Sequence, residues 1–182
     1  LAIMSEIGMY AENVTNNVNV SATGEGIAVA GLVARSGEGY KKCNFVNCTN
    51  NGNITANSSV APVITAEDPE GKATKDKDFF VGGIAGRCDV IIAQNCVNNG
   101  KIQALSLVTR SPKGFAGGLA ACAAFTAGSN YVIFEHCVNN GEVYSSLRAA
   151  GILATVGCKD NYADSQRYGG SLPFIVRGNV NN

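Results

Sequence analysis

The sequence predicts an all-β fold, a parallel β-solenoid of about four to five coils carrying two long corner insertions. Three observations predict it. One phrase recurs three times almost unchanged: Asn47-Cys48-Thr49-Asn50-Asn51-Gly52-Asn53-Ile54, Asn95-Cys96-Val97-Asn98-Asn99-Gly100-Lys101-Ile102 and His136-Cys137-Val138-Asn139-Asn140-Gly141-Glu142-Val143. A second phrase alternates with it: Val29-Ala30-Gly31-Leu32-Val33-Ala34, Val81-Gly82-Gly83-Ile84-Ala85-Gly86, Ala116-Gly117-Gly118-Leu119-Ala120-Ala121 and Ala149-Ala150-Gly151-Ile152-Leu153-Ala154. The composition disfavours helix, because 22 of the 182 residues are glycine and 20 are asparagine.

Each element follows from the repeat. A degenerate first copy, Asn13-Val14-Thr15-Asn16-Asn17-Val18, has Val in the Cys and Gly columns, and a last one runs Gly178-Asn179-Val180-Asn181-Asn182. The first Asn of the pair falls at 16, 50, 98, 139 and 181, so the period varies from 34 to 48 residues and the variation belongs to loops. Before the Cys column, Cys43 and Phe45, Ile91 and Ala93, Val132 and Phe134, and Phe174 and Val176 alternate as the inward side of a strand does. The Cys breaks that parity, which predicts a bend just before it, and Asn-Asn-Gly offers residues that accept positive φ for a tight turn. A second strand follows, with Ile54, Ile102 and Val143 inward and Ala56, Ala104 and Ser145 two further on. The Gly-Gly-Leu/Ile phrase supplies a third strand whose small residues let backbones approach.

Three short strands joined by corners make one coil, and coils stack about 4.8 Å apart. Stacking aligns Cys48, Cys96 and Cys137 in an interior column and Asn50, Asn98 and Asn139, with Asn16 and Asn181, in a corner ladder where amides hydrogen-bond along the stack. The competing fold is an antiparallel hairpin sandwich, since Asn-Gly is also a hairpin turn signal. Hairpins, however, do not require the same residue at the same corner of every repeat.

Gly82-Gly83-Ile84-Ala85-Gly86, followed by Ile92, Asn95-Cys96, Gly100 and Ile102, resembles the GLUG motif, a repeat of bacterial surface proteins, adhesins and some immunoglobulin-A-peptidase-like proteins. The likeness spans nearly the whole chain on a short motif. It departs from the pattern where Ala34, Ala121 and Ala154 replace the final Gly and Ala30 and Ala150 the first. The resemblance implies a right-handed parallel β-helix in an exported, cell-surface protein.

Charge narrows the partners. Lys and Arg number 14 against 14 Asp and Glu, so nothing argues for nucleic acid or an anionic membrane. The longest weakly polar run, Phe115 to Ala127, is well short of the roughly 20 residues of a spanning helix, so direct membrane insertion is not expected. Residues 1–182 are expected to form one solenoid domain, a piece of a longer repeat protein, because the first and last copies are incomplete.

The chemistry-bearing residues are few. Seven cysteines leave at least one unpaired; the Cys48, Cys96 and Cys137 column fits free buried thiols, while Cys88, Cys122 and Cys158 leave a bridge between neighbouring coils open. No Cys-x-x-Cys occurs and His136 is the single histidine, so no metal or other cofactor is expected. His136 shares its column with Asn47 and Asn95 and is expected to be a polar corner residue. The two insertions, Asn57 to Phe79 and Val156 to Leu172, are where binding is expected, through Glu67, Asp68, Asp76 and Asp78 and through Asp160, Tyr162, Asp164 and Tyr168. The first cluster lacks the spacing of a dedicated calcium loop. Five glycosylation sequons, at Asn13, Asn19, Asn47, Asn53 and Asn57, follow largely from duplication of one Asn- and Thr-rich phrase.

The expected function is therefore a noncatalytic adhesin or stalk segment, secreted or at a cell surface. Its corner loops would meet a glycan, a protein, or neighbouring segments of a larger assembly. No catalytic residue is expected, since the strand columns repeat Asn, Gly, Cys, Val and Ile. The rival classes are a carbohydrate-active β-helix enzyme, which needs paired carboxylates on one face, and a passive structural scaffold.

Overall fold

The computed structural model describes residues 2–5, 8–24, 26–36, 42–58, 66, 79–106, 114–123, 132–156 and 174–182, and among them every regular element is a strand. One turn of the chain runs through Lys42–Val46, Thr49–Asn50, Ile54–Ser58, Phe79–Gly82 and Ala85–Cys88. The next runs through Val90–Gln94, Val97–Asn98, Ile102–Ser106, Gly114–Gly117 and Ala120–Ala123, each strand parallel to its counterpart one turn earlier. Five parallel sheets result, of five, five, four, four and five strands in the order in which the chain visits them. Their register is that of the repeats, with Asn50 opposite Asn98 opposite Asn139, and Ile54 opposite Ile102 opposite Val143. The chain is thus a parallel β-solenoid of four complete turns, with Ala2–Ser5 before them and Phe174–Arg177 and Val180–Asn181 after.

The turn differs from the three-strand coil expected from the repeat. The Gly-Gly phrase is a bend between two strands, as at Gly83 and Ile84 between Phe79–Gly82 and Ala85–Cys88, and the Asn pair carries a two-residue strand of its own. The positive φ also falls elsewhere: Asn13, Asn47, Asn95 and His136 lie at 56°, 52°, 53° and 52°, and Gly178 at 63°, in the column just before the cysteines. Asparagine is among the few non-glycine residues that adopt this conformation at modest cost, and it provides the expected bend. The glycines of Asn-Asn-Gly serve packing instead. A Cβ on Gly100 would run into the Gly52 carbonyl, and one on Gly141 into the Gly100 carbonyl.

The interior is filled from all five sheets. Cys43, Phe45, Ile91, Ala93, Val132 and Phe134 from the first sheet meet Leu32, Ile84 and Leu119 from the Gly-Gly bends. Ile54, Ile102, Ala56 and Ala104 meet Phe79, Val81 and Ala116. Burying each large side chain stabilises the stack by about 1.5–3 kcal/mol relative to exposure. A smaller buried group lies on the opposite face of the fourth sheet, where Phe80 and Phe115 stack with centroids 5.4 Å apart. The guanidinium groups of Arg87 and Arg148 lie 5.9 and 5.8 Å over those rings. Doublets such as Phe79-Phe80 put one ring on each face, as strand alternation requires.

The two long insertions fall between different pairs of strands. Residues 59–78 connect the third strand of a turn to its fourth, and residues 157–173 connect the fifth strand of one turn to the first of the next. Ile102 is fully buried and aligned with Ile54 and Val143. Ile102→Asp should therefore destabilise the protein by at least 3–5 kcal/mol, the approximate cost of an unpaired buried charge. An unchanged melting curve would contradict the interior placement.

Candidate functional site

The repeated polar residues form three columns along the stack. In the innermost, the Nδ2 groups of Asn16, Asn50, Asn98 and Asn139 each make two donations. Asn50 Nδ2 donates to the Gly52 carbonyl at 2.8 Å and to Asn98 Oδ1 at 2.7 Å. Asn98 repeats this with the Gly100 carbonyl at 2.8 Å and Asn139 Oδ1 at 2.7 Å. Asn16 joins the ladder below by donating to Asn50, and Asn139 continues it above by donating to Asn181. Asn50, Asn98 and Asn139 are buried, and such amides are tolerated there because their donors and acceptors are met.

The second repeated phrase makes room for this ladder. A Cβ on Gly31, Gly83 or Gly118 would collide with the side chain of Asn50, Asn98 or Asn139 respectively, and one on Gly151 would collide with Asn181. The two phrases recur together because they face each other across the interior.

A second ladder runs outside. Asn51 Nδ2 donates to Asn17 Oδ1 at 2.7 Å, Asn99 to Asn51 at 2.8 Å, Asn140 to Asn99 at 2.8 Å and Asn182 to Asn140 at 2.7 Å. Its donations point back toward the first turn, opposite to those of the inner ladder. A third, looser column joins Asn95 to Asn47 and Asn47 to Asn13 at 3.3 and 3.2 Å, and ends at the exposed His136. The outer ladder was readable from the second Asn of each pair, which recurs as regularly as the first.

The cysteine column is buried and reduced. Cys48, Cys96 and Cys137 point their thiols at the carbonyls of Ala11, Phe45 and Ala93, at 3.4, 3.4 and 3.5 Å. In the last described turn Asn179 takes this column, its Nδ2 donating to the Phe134 carbonyl at 2.8 Å and its Oδ1 accepting from the Cys137 N–H at 2.8 Å. Hydrogen bonding to Cys137 and Cys48, reinforced by burial, pushes the Cys96 thiol far above the ordinary range. The same effect from Cys43, again with burial, raises Cys88. No disulfide joins Cys88 to Cys122, and the register explains why: Cys88 pairs with Ala123 and Cys122 with Arg87, which puts the two side chains on opposite faces of the fifth sheet.

Glu67, Asp68, Asp76, Asp78, Asp160, Tyr162, Asp164 and Tyr168 lie outside the described residues, as does Cys158. Glu135 and Glu142, which flank the third copy of the Asn-Asn-Gly phrase, each have a partner one turn away. Glu135 accepts from Gln94 Nε2 at 2.9 Å and lies 2.7 Å from the Arg177 guanidinium. Those two partners, Gln94 first, hold its carboxyl below the usual value against a desolvation penalty. Glu142 pairs with Lys101 at 2.9 Å. That pair borders an open depression of about 560 Å³, lined also by Gln103, Val143 and the exposed Tyr144. Gln103 and Tyr144 continue the outward column of Ser21 and Thr55 on the third sheet. Because that column changes residue at every turn, repetition alone does not mark it. Among the described residues no three His, Cys, Asp or Glu side chains converge as a metal site would require, and no helix is long and apolar enough to cross a membrane.

Two outcomes follow from the columns. Asn98→Asp sets a buried carboxylate against the Gly100 carbonyl and Asn139 Oδ1 and should cost about 3–5 kcal/mol at pH 7. Asn57→Asp, at a partly exposed strand position, should stay within about 0.5 kcal/mol. The acceptors around the new carboxyl raise its folded-state pKa above the unfolded value. The N98D penalty should therefore shrink below about pH 4, when the group is protonated, and grow as pH rises through the folded pKa. Equal losses for N98D and N57D in denaturant melts would remove the inner ladder from the account of stability. Thiol labelling provides the other measurement: the six described cysteines should stay unreactive in the native protein and react together on unfolding. More than one reactive thiol per chain under native conditions would contradict the buried column.

The chain matches no family model, no curated protein and no solved structure.

Proposed function

We propose that the chain is a noncatalytic β-solenoid segment of a secreted or cell-surface protein, a stiff rod that presents its corner insertions and the surface between them to a glycan or protein partner. The observation that carries this reading is the use made of the repeated polar side chains. The asparagines of all three columns bond turn to turn, and Glu135 and Glu142 are held by Arg177 and Lys101 in adjacent turns. Repetition therefore builds the stack, while the insertions at two corners and the outward columns are free to differ. The GLUG-like phrases favour the surface setting by resemblance.

A glycan suits the described surface best. Tyr144 is 57% exposed beside Gln103 and the Lys101–Glu142 pair, which together offer an aromatic face and hydrogen-bonding groups around an open depression. The test is a glycan array followed by titration of the captured glycans, with reducing ends assayed in parallel. Saturable binding without new reducing ends is expected. Tyr144→Ala should weaken it roughly tenfold if the depression is used, whereas Asp160→Ala or Tyr162→Ala should do so if the second insertion is used. Accumulating reducing ends would favour the enzyme, and absence of any bound glycan or protein would favour the passive scaffold.

A further inference from the structure

Building on the glycan reading, we propose that the outward face of the third sheet binds a linear, uncharged polysaccharide laid along the axis of the stack, one sugar to each turn, with Thr55, Gln103 and Tyr144 in successive subsites. Strand alternation sets this face. Ile54, Ile102 and Val143 pack inward in register, so the next residue of each strand points outward, and Thr55, Gln103 and Tyr144 continue a column that begins with Ser21. Thr55 and Gln103 have a turn on either side of them, and their outward direction is a property of the stack itself.

The hydrogen-bonding groups of this column are unspent. The asparagine columns bond turn to turn, and on the first sheet Gln94, Glu135 and Arg177 do the same. By contrast, the hydroxyls of Ser21, Thr55 and Tyr144 and the amide of Gln103 bond to no described residue. Beside them runs a second column, Asn19, Asn53, Lys101 and Glu142, aligned by backbone bonds from Val20, Ile54 and Ile102 to the carbonyls of the next turn. Asn19 and Asn53 accept the N–H of Asn53 and Lys101 at 2.8 and 2.9 Å, which fixes each amide while its Nδ2 donates to no described residue. Rows of neutral groups that can donate and accept suit the hydroxyls of a sugar.

Spacing and charge narrow the ligand. The rows advance by one strand spacing per turn, about 4.8 Å, close to the advance per ring of an extended chain of pyranoses joined through equatorial positions. A chain laid along the axis therefore meets a fresh pair of polar side chains at every ring. The Tyr144 ring adds an apolar face on which one sugar stacks. Lys101 and Glu142, the charged residues bordering the depression, neutralise each other at 2.9 Å. The glutamate side chain is the more exposed of the two, at 79% against 44%. A uronic-acid chain would thus meet a carboxylate before it met an available cation, whereas a neutral chain meets no such repulsion.

The experiment is isothermal titration calorimetry of the 182-residue chain with β-1,4-linked oligomers of glucose, xylose, mannose and N-acetylglucosamine, from single sugar to hexasaccharide, and with oligogalacturonates of the same lengths. At least one neutral series should bind with an affinity that rises with each added sugar until the turns of the third sheet are covered. Oligogalacturonates should bind roughly tenfold more weakly or worse. Gln103→Ala and Tyr144→Ala should each weaken the longest oligomer roughly tenfold, and Gln103→Ala should also flatten the dependence on length by interrupting the row. Tyr144→Phe, which keeps the ring, should retain most of the affinity. Asn44→Ala, on the outward face of the first sheet, should bind as the unaltered chain does. Glu142→Gln releases Lys101 and should raise affinity for oligogalacturonates roughly tenfold. Denaturant melts check the fold of each variant. Affinity that does not grow beyond a single sugar, a preference of the unaltered chain for oligogalacturonates, or folded Q103A and Y144A proteins that bind undiminished would overturn the proposal. Binding lost in Asp160→Ala or Tyr162→Ala instead would overturn it and leave the adhesin reading intact, while no binding to any glycan would overturn it together with the glycan half of that reading.

Discussion

The buried asparagine ladder, packed against the glycine column, is the constraint on which the stack depends. A single amide–amide hydrogen bond contributes only about 1 kcal/mol net, but a buried amide left without its partner costs about 1–3 kcal/mol. Asn50, Asn98 and Asn139 are completely or almost completely buried, so any displacement of one turn relative to the next leaves several such groups unmet at once. The glycines opposite permit this arrangement, since any side chain at Gly83 or Gly118 would occupy the space of the amide. Alignment is thus specified by polar chemistry more than by shape.

With alignment set in this way, the apolar columns can vary. Ala11, Phe45, Ala93, Phe134 and Val176 follow one another through the first sheet, small then large then small. A ring in one turn fills the space an alanine leaves in the next, which keeps the interior close-packed without a constant residue. Phe79 and Gly114 divide volume in the same manner on the fourth sheet, where a Cβ on the glycine would strike the ring. The cysteine column tolerates Val14 below and Asn179 above for a related reason. What it asks of a side chain is modest size and, where available, a donor for a carbonyl one turn earlier.

The repetition made the parallel stack, the inward columns and the inner ladder legible in the sequence, because each needs the same residue type at the same place in every turn. The number of strands per turn was less legible. Two-residue strands such as Thr49–Asn50 carry no period of their own, and the Gly-Gly phrase bends where its apolar neighbours suggest continuous strand. The left-handed residue was assigned to Asn-Asn-Gly on turn chemistry, yet it lies at Asn47 and Asn95, where the chain changes direction before the cysteine. Tyr144 and Gln103 escaped notice because outward positions are selected separately at each turn. The insertions stood out by length alone, and length names a region rather than a geometry.

The opposed polarity of the two ladders has a mechanical consequence. Amides aligned in a row polarise one another, and their dipoles add along the row. A stack with one ladder would accumulate a dipole with every turn, leaving partial charges of opposite sign at its two extremities. Here the inner amides donate toward later turns and the outer amides toward earlier ones, a few residues apart on the same corner. The two rows largely cancel at a distance while each keeps its local bonds. Turns are therefore added without a growing net dipole from these two rows, while each row keeps its own direction.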